Sequence, residues 1–66
     1  MSEVQKLVLF LVRMSGAADL RELVEGVRSV LPWLAPGTIH DALNDLIQNG
    51  SIVLSNSGVY LPKAAA

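Results

Sequence analysis

The sequence predicts an α+β fold that is mostly α, with three helices followed by a β-hairpin. Three segments before residue 50 repeat apolar residues at the spacing of one helix face. After Asn49-Gly50 the pattern changes to two short β-prone runs joined by a polar turn. Because 66 residues suffice for a single hydrophobic core, we expect one domain over residues 1–62 and a short flexible tail over residues 63–66.

The first predicted helix runs from Ser2, a suitable N-cap, to Met14. Its regular apolar face consists of Val4, Leu7, Val8 and Leu11. Further apolar residues lie outside that face, namely Leu9, Phe10 and Val12. A helix that is apolar on more than one side is covered on more than one side. Two interpretations follow: a helix central to the core, or a homodimer seam formed by those three extra residues.

The second predicted helix begins after Asp19, which with Glu22 forms a capping-box pattern, and it runs to about Leu31. Its core face comprises Leu20, Leu23, Val24 and Val27, extended by Val30 or Leu31. Pro32 prevents a smooth continuation of the helix. In the connection that follows, we expect Trp33 and Leu34 to be anchored in the core.

The third predicted helix begins at Pro36, since a proline fits the first helical turn, and it ends at Asn49-Gly50. Its apolar set is Ile39, Ala42, Leu43, Leu46 and Ile47. Residues 51–54 and 59–61 are the predicted strands of the hairpin, and the turn between them ends at Gly58. We expect Gly58 to adopt a positive φ, as turns that match the twist of the strands require.

This order of elements is that of a winged helix-turn-helix. Residues 35–52, APGTIHDALNDLIQNGSI, resemble the recognition helix and first wing strand of PadR-type transcriptional regulators, and the resemblance extends over roughly residues 20–61. It rests on the Pro-Gly-Thr start, the Ala-Leu and Leu-Ile pairs, the Gly-x-Ile exit and the returning Gly-Val-Tyr-Leu strand. The resemblance implies that helix three lies in the DNA major groove, with Asn56 and Ser57 at the wing tip.

The exposed face of helix three is predicted to carry Thr38, His40, Asp41, Asn44, Asp45 and Gln48. This face departs from the PadR pattern, which tends to have an aromatic residue at the position of His40 and basic residues near Asn44 and Asp45. Asp41 and Asp45 lie one helical turn apart, and we expect both to point outward. PadR-type proteins dimerise through C-terminal helices; here that role would fall to helix one.

Composition excludes several classes of chemistry. The chain has no cysteine and one histidine, so neither a disulfide nor a cysteine-based zinc site is possible. No phosphate-binding glycine loop, nucleophile motif or metal-ligand spacing occurs. We therefore predict a protein that is not an enzyme and that uses no metal, cofactor or small-molecule substrate. The longest apolar run, residues 7–12, is too short to cross a membrane, and the N-terminus has no signal-peptide pattern, so a cytoplasmic protein is expected.

Two functional interpretations remain. Five Lys or Arg against six Asp or Glu give a net charge of −1, without the basic excess of most DNA-binding proteins. A content of 52% hydrophobic and 17% charged residues leaves apolar surface for a partner. The first interpretation is a regulatory protein-protein interaction module, acting as inhibitor, adaptor or anti-regulator on another protein or as a homodimer through helix one. The alternative is a homodimeric DNA-binding transcriptional regulator that inserts helix three in the major groove.

Overall fold

The structure, a computed structural model, describes residues 2–63. In chain order its elements are α1 (Glu3–Ser15), β1 (Ala18–Asp19), α2 (Leu20–Val30), α3 (Pro36–Gln48), β2 (Ile52–Leu54) and β3 (Val59–Pro62). The predicted class, α+β and mostly α with a C-terminal hairpin, is confirmed, and the layout is that of a winged helix. Residues 64–66 of the predicted tail lie outside the described residues.

The ends of the helices follow the predicted capping signals. The Ser2 hydroxyl accepts a hydrogen bond from the Gln5 N–H, and the Gln5 side chain accepts one from the Ser2 N–H, both at 3.1 Å. Asp19 caps α2 by accepting from the Glu22 N–H at 2.8 Å. At the C-terminal end of α3, Asn49 is the C-cap and Gly50 has a φ of 82°. These bonds satisfy backbone groups that a helix end otherwise leaves unpaired.

The three strands form one antiparallel sheet in the order β1-β3-β2, so β3 is central. Leu54 pairs with Tyr60 on one side of β3, and Ala18 pairs with the same tyrosine on the other side. Strand β1 was not predicted from the sequence. The ladder also extends past β3, since the Lys63 N–H donates to the Ser51 carbonyl at 3.1 Å. Lys63, the first residue of the predicted tail, thus continues the backbone hydrogen bonding of the sheet.

The hairpin turn depends on Gly58, whose φ is 86° as predicted. Its N–H donates to the Ser55 carbonyl at 3.0 Å, and the Ser55 N–H donates to the Val59 carbonyl at 2.9 Å. A side chain at position 58 would meet no heavy atom within 4 Å. Any cost of a substitution there therefore comes from the backbone conformation and not from crowding.

We expect Gly58→Ala to lower the free energy of unfolding by about 1–2 kcal/mol, the cost of holding an L-residue in the left-handed region. Gly37→Ala is the matched control, because position 37 is equally uncrowded but has no positive φ. Since alanine favours the helix, the control should leave stability unchanged or raise it by up to about 1 kcal/mol. Urea unfolding of both variants measures the difference. Equal effects of the two substitutions would contradict this account of the turn.

Helix α1 is central to the core, where it packs against α2, α3, β1 and β3. The buried residues are Val8, Leu9, Val12, Ala18, Leu23, Val27, Ile39, Ala42, Leu43, Leu46 and Ile52. This corrects the predicted homodimer seam of Leu9, Phe10 and Val12. Leu9 is only 7% exposed and Val12 is 0% exposed, whereas Phe10 is 56% exposed. Because four elements cover α1, its buried face is wider than one apolar stripe and includes both residues.

In the connection between α2 and α3, only one of the two residues that we expected to be anchored in the core is so placed. Trp33, predicted to be anchored in the core, is 76% exposed. Helix α2 ends at Val30, and the chain turns tightly there, with the Leu34 N–H donating to the Leu31 carbonyl at 3.1 Å. Leu34 packs against the core, so the turn directs only one of the two predicted anchors inward.

Candidate functional site

The predicted polar residues of helix α3 are accessible to solvent. All six predicted residues are exposed, namely Thr38, His40, Asp41, Asn44, Asp45 and Gln48. They do not point in one direction, because successive residues of a helix turn by about 100°. With Ile39 and Leu46 buried, Asn44 and Gln48 lie opposite the core, and His40 lies on one flank. The other flank faces α1.

Asp45 belongs to that flank and not to the outward face. The Gln5 side-chain amide of α1 donates a hydrogen bond to Asp45 Oδ2 at 2.9 Å. Asp45 also lines a groove of about 320 Å³ between α1 and α3, together with Ser2, Val4, Gln5, Thr38, Asp41 and Ala42. Asp41 and Asp45 are both exposed, but the Asp45 carboxylate is engaged by α1. That carboxylate connects the two helices.

The groove between α1 and α3 has an acidic rim. Asp41 and Asp45 are its only charged lining residues, and α3 has no Lys or Arg anywhere in its sequence. The wing tip, residues 55–58, has none either. At that tip Asn56 and Ser57 are exposed, and the Ser57 hydroxyl lies 2.8 Å from the Ser55 hydroxyl. Neither element offers a cation to a phosphate group.

The outer side of α1 carries a second apolar face, which sequence reasoning placed incorrectly. It consists of Leu7, Phe10, Leu11 and Met14, spaced by three and four residues, and we call it the α1 stripe. Phe10 is 56% and Met14 is 71% exposed, while Leu7 and Leu11 are half-buried at the edge of the core. The helical spacing was visible in the sequence, but which of several apolar faces is buried depends on the packing of the other elements.

The α1 stripe borders α2 on one side. A Cβ atom on Gly26 would lie 3.0 Å from Leu11 Cδ1, so the absence of a side chain at Gly26 leaves room for the Leu11 side chain against α2. Next to this contact, a groove of about 280 Å³ opens between the end of α1 and the start of α2. Its lining residues are Leu11, Met14, Ser15, Ala18, Glu22 and Leu23. The α1 stripe therefore continues into a shallow groove that has one charged lining residue, Glu22.

Opposite charges flank the α1 stripe. Lys6 and Arg13 are exposed on the side of the stripe away from α2, since each lies about 40–60° from Phe10 around the helix. Glu22 lies on the α2 side. Among residues 2–63 the one ion pair is Arg21 with Glu25, at 3.3 Å and exposed to solvent. Lys6, Arg13 and Glu22 thus form no intramolecular ion pair within the described part of the chain.

Residues 2–63 contain no cluster of three or more His, Asp or Glu side chains placed to hold a metal ion. None of the described helices has the length and hydropathy that crossing a membrane requires. No protein-family model, no curated protein and no solved structure matches this chain.

Proposed function

We propose that this chain is a non-enzymatic regulatory module that binds protein and uses a winged-helix scaffold to present apolar surface. The observation that carries the proposal is the distribution of its large side chains. Phe10 and Met14 on α1, and Trp33 after α2, are each more than half exposed. Phe10 and Met14 adjoin each other one turn apart on α1, and contiguous exposed apolar surface is typical of protein interaction sites.

Trp33 suits the role of an anchor for a partner. Tryptophan is among the residues that contribute most to binding when a partner buries them. Val30, the last residue of α2, is 58% exposed and adds a further exposed apolar side chain at the end of that helix. Since Trp33 is the only tryptophan of the chain, its fluorescence would report directly on burial at this position.

The charge of α3 argues against DNA as the main ligand. A winged helix of the PadR type would insert this helix in the major groove, between two rows of phosphates. Asp41 would repel those phosphates, and neither α3 nor the wing tip carries a Lys or Arg to neutralise them. The DNA-binding alternative rests on the outward-facing amides of Asn44 and Gln48, a side-chain type that can read adenine.

DNA binding by the wild-type protein is the decisive test. We expect weak binding to duplex DNA at low salt, lost at physiological salt and equal for unrelated sequences, because few phosphates would be neutralised. Fluorescence anisotropy with labelled duplexes measures this. The Asn44→Ala, Gln48→Ala double variant should bind identically, because these amides read no bases under the proposal.

A sequence-selective complex that persists at physiological salt would refute the protein-binding proposal. Loss of that selectivity in the Asn44→Ala, Gln48→Ala variant would then assign base recognition to α3. Asp41→Asn provides a second control. It should strengthen only the residual non-specific binding, since it removes one charge that repels phosphate.

A further inference from the structure

We propose that the partner on the α1 stripe is a second copy of this chain, with the two α1 helices parallel about a two-fold axis. This inference rests on the proposed function, because it names the protein that the α1 stripe binds. The predicted homodimer through helix one is thereby moved to Phe10 and Met14, away from the buried Leu9 and Val12.

The form of the α1 stripe fits another helix. Its residues are spaced by three, four and seven positions, which is the spacing at which the side chains of two packed helices interdigitate; Leu7 and Met14, for example, are seven residues apart. The side chain of Met14 is flexible and adapts to an irregular neighbour. A self-complementary interface uses the same patch on both copies, so each Phe10 would be covered by the α1 stripe of the other copy.

Charge decides between the two possible directions of the helices. When the two-fold axis is parallel to the two α1 helices, the side of one copy that carries Lys6 and Arg13 faces the α2 side of the other copy. Arg13 lies within one residue of Met14, and Glu22 lines the groove that Met14 also lines, so the two charges are at a similar height along α1. The parallel arrangement therefore brings Arg13 of each copy near Glu22 of the other, forming two ion pairs.

The antiparallel arrangement creates the opposite situation. A two-fold axis perpendicular to α1 leaves the basic side of each copy facing the basic side of the other. Lys6 would then oppose Arg13 twice, and Glu22 would face no cation. Like charges at such an interface disfavour association. The positions of Lys6, Arg13 and Glu22 thus favour the dimer in which the two α1 helices are parallel.

Two features limit the stability of the proposed dimer. The two Glu3 side chains approach each other at the start of α1, which confines close contact to the turns between Leu7 and Met14. A stable interface buries about 800 Å² on each partner, close to a fifth of the 4257 Å² surface of this chain. Two exposed and two half-buried side chains provide less than that. We therefore expect a weak, reversible dimer that added salt dissociates further.

The test is sedimentation equilibrium of four proteins over micromolar to millimolar concentrations at low salt. The wild type should rise from the mass of one chain, 7.0 kDa, towards twice that value. Arg13→Glu and Glu22→Arg should each raise the dissociation constant at least about tenfold, because two attractive pairs become two repulsive ones. The control is Arg28→Glu, which makes the same change of charge in the last turn of α2. It should associate like the wild type.

Mixing Arg13→Glu with Glu22→Arg, the two variants in which self-association is weakened, tests the proposed ion pairs most directly. In a complex of Arg13→Glu with Glu22→Arg, each interface pair again joins a cation and a carboxylate. The equimolar mixture should therefore recover wild-type association, and circular dichroism of each variant alone verifies that it is folded. A wild type that stays at the mass of one chain, or a mixture no stronger than its components, would overturn the proposal. Stronger association of Arg13→Glu alone would also overturn it, because that result requires the antiparallel pair.

These results are independent of the DNA measurements. A protein that remains a single chain and binds no DNA selectively would refute the second copy as partner while leaving the protein-binding proposal intact. Sequence-selective DNA binding would refute that proposal whatever the mass of the protein.

Discussion

Leu43→Ala is expected to lower the free energy of unfolding by about 2–5 kcal/mol, the range measured for removing a buried leucine side chain. Leu43 is 2% exposed and lies in α3 within the central core cluster. A chain of this length has a total stability of roughly 3–10 kcal/mol, at about 0.05–0.15 kcal/mol per residue. The substitution should therefore remove a large share of the stability, which thermal and urea unfolding followed by circular dichroism would measure.

Leu54→Ala is the matched control for Leu43→Ala, because it removes the same atoms from a side chain that is 51% exposed. Its expected effect is below about 1 kcal/mol, since less apolar area returns to water and no closed cavity forms. If the two variants lose equal stability, α3 does not contribute Leu43 to the core in the way described.

Most of the fold was predictable because its signals are local. The caps at Ser2 and Asp19, the proline that begins α3 and the positive φ of Gly58 each involve residues within a few positions of one another. Strand β1 gave no such signal. It has two residues, Ala18 and Asp19, too few to show an alternating pattern, and it exists through pairing with the distant β3.

The surfaces were less predictable than the elements, because they depend on how the elements meet. Helix α1 is apolar around most of its circumference, so its sequence is compatible with several buried faces. Packing against four elements buries Leu9 and exposes Phe10, the residue next to it. The contact of Gln5 with Asp45 joins residues 40 positions apart, and no pattern within α3 indicates it. Trp33 follows Pro32, where the helical spacing that would assign it to a face has ended.

A pair of substitutions at neighbouring positions separates the two roles of α1, stabilising the core and offering a surface. We expect Leu9→Glu to lower the free energy of unfolding by about 4 kcal/mol or more, because a carboxylate replaces a leucine that is 7% exposed. A loss of that size approaches the whole stability of the domain. The protein should then be largely unfolded at room temperature, with the helical circular dichroism signal reduced accordingly.

Phe10→Glu introduces the same charge one residue later but should leave the domain folded. Phe10 is 56% exposed, so the carboxylate remains in water, and glutamate has a higher helix propensity than phenylalanine. We expect a change in unfolding free energy of less than about 1 kcal/mol and, in sedimentation, the mass of a single chain at every concentration. Urea unfolding of dilute samples measures stability where the proposed dimer is dissociated. If Phe10→Glu unfolds the domain as Leu9→Glu does, Phe10 is a core residue and the α1 stripe is not a free surface.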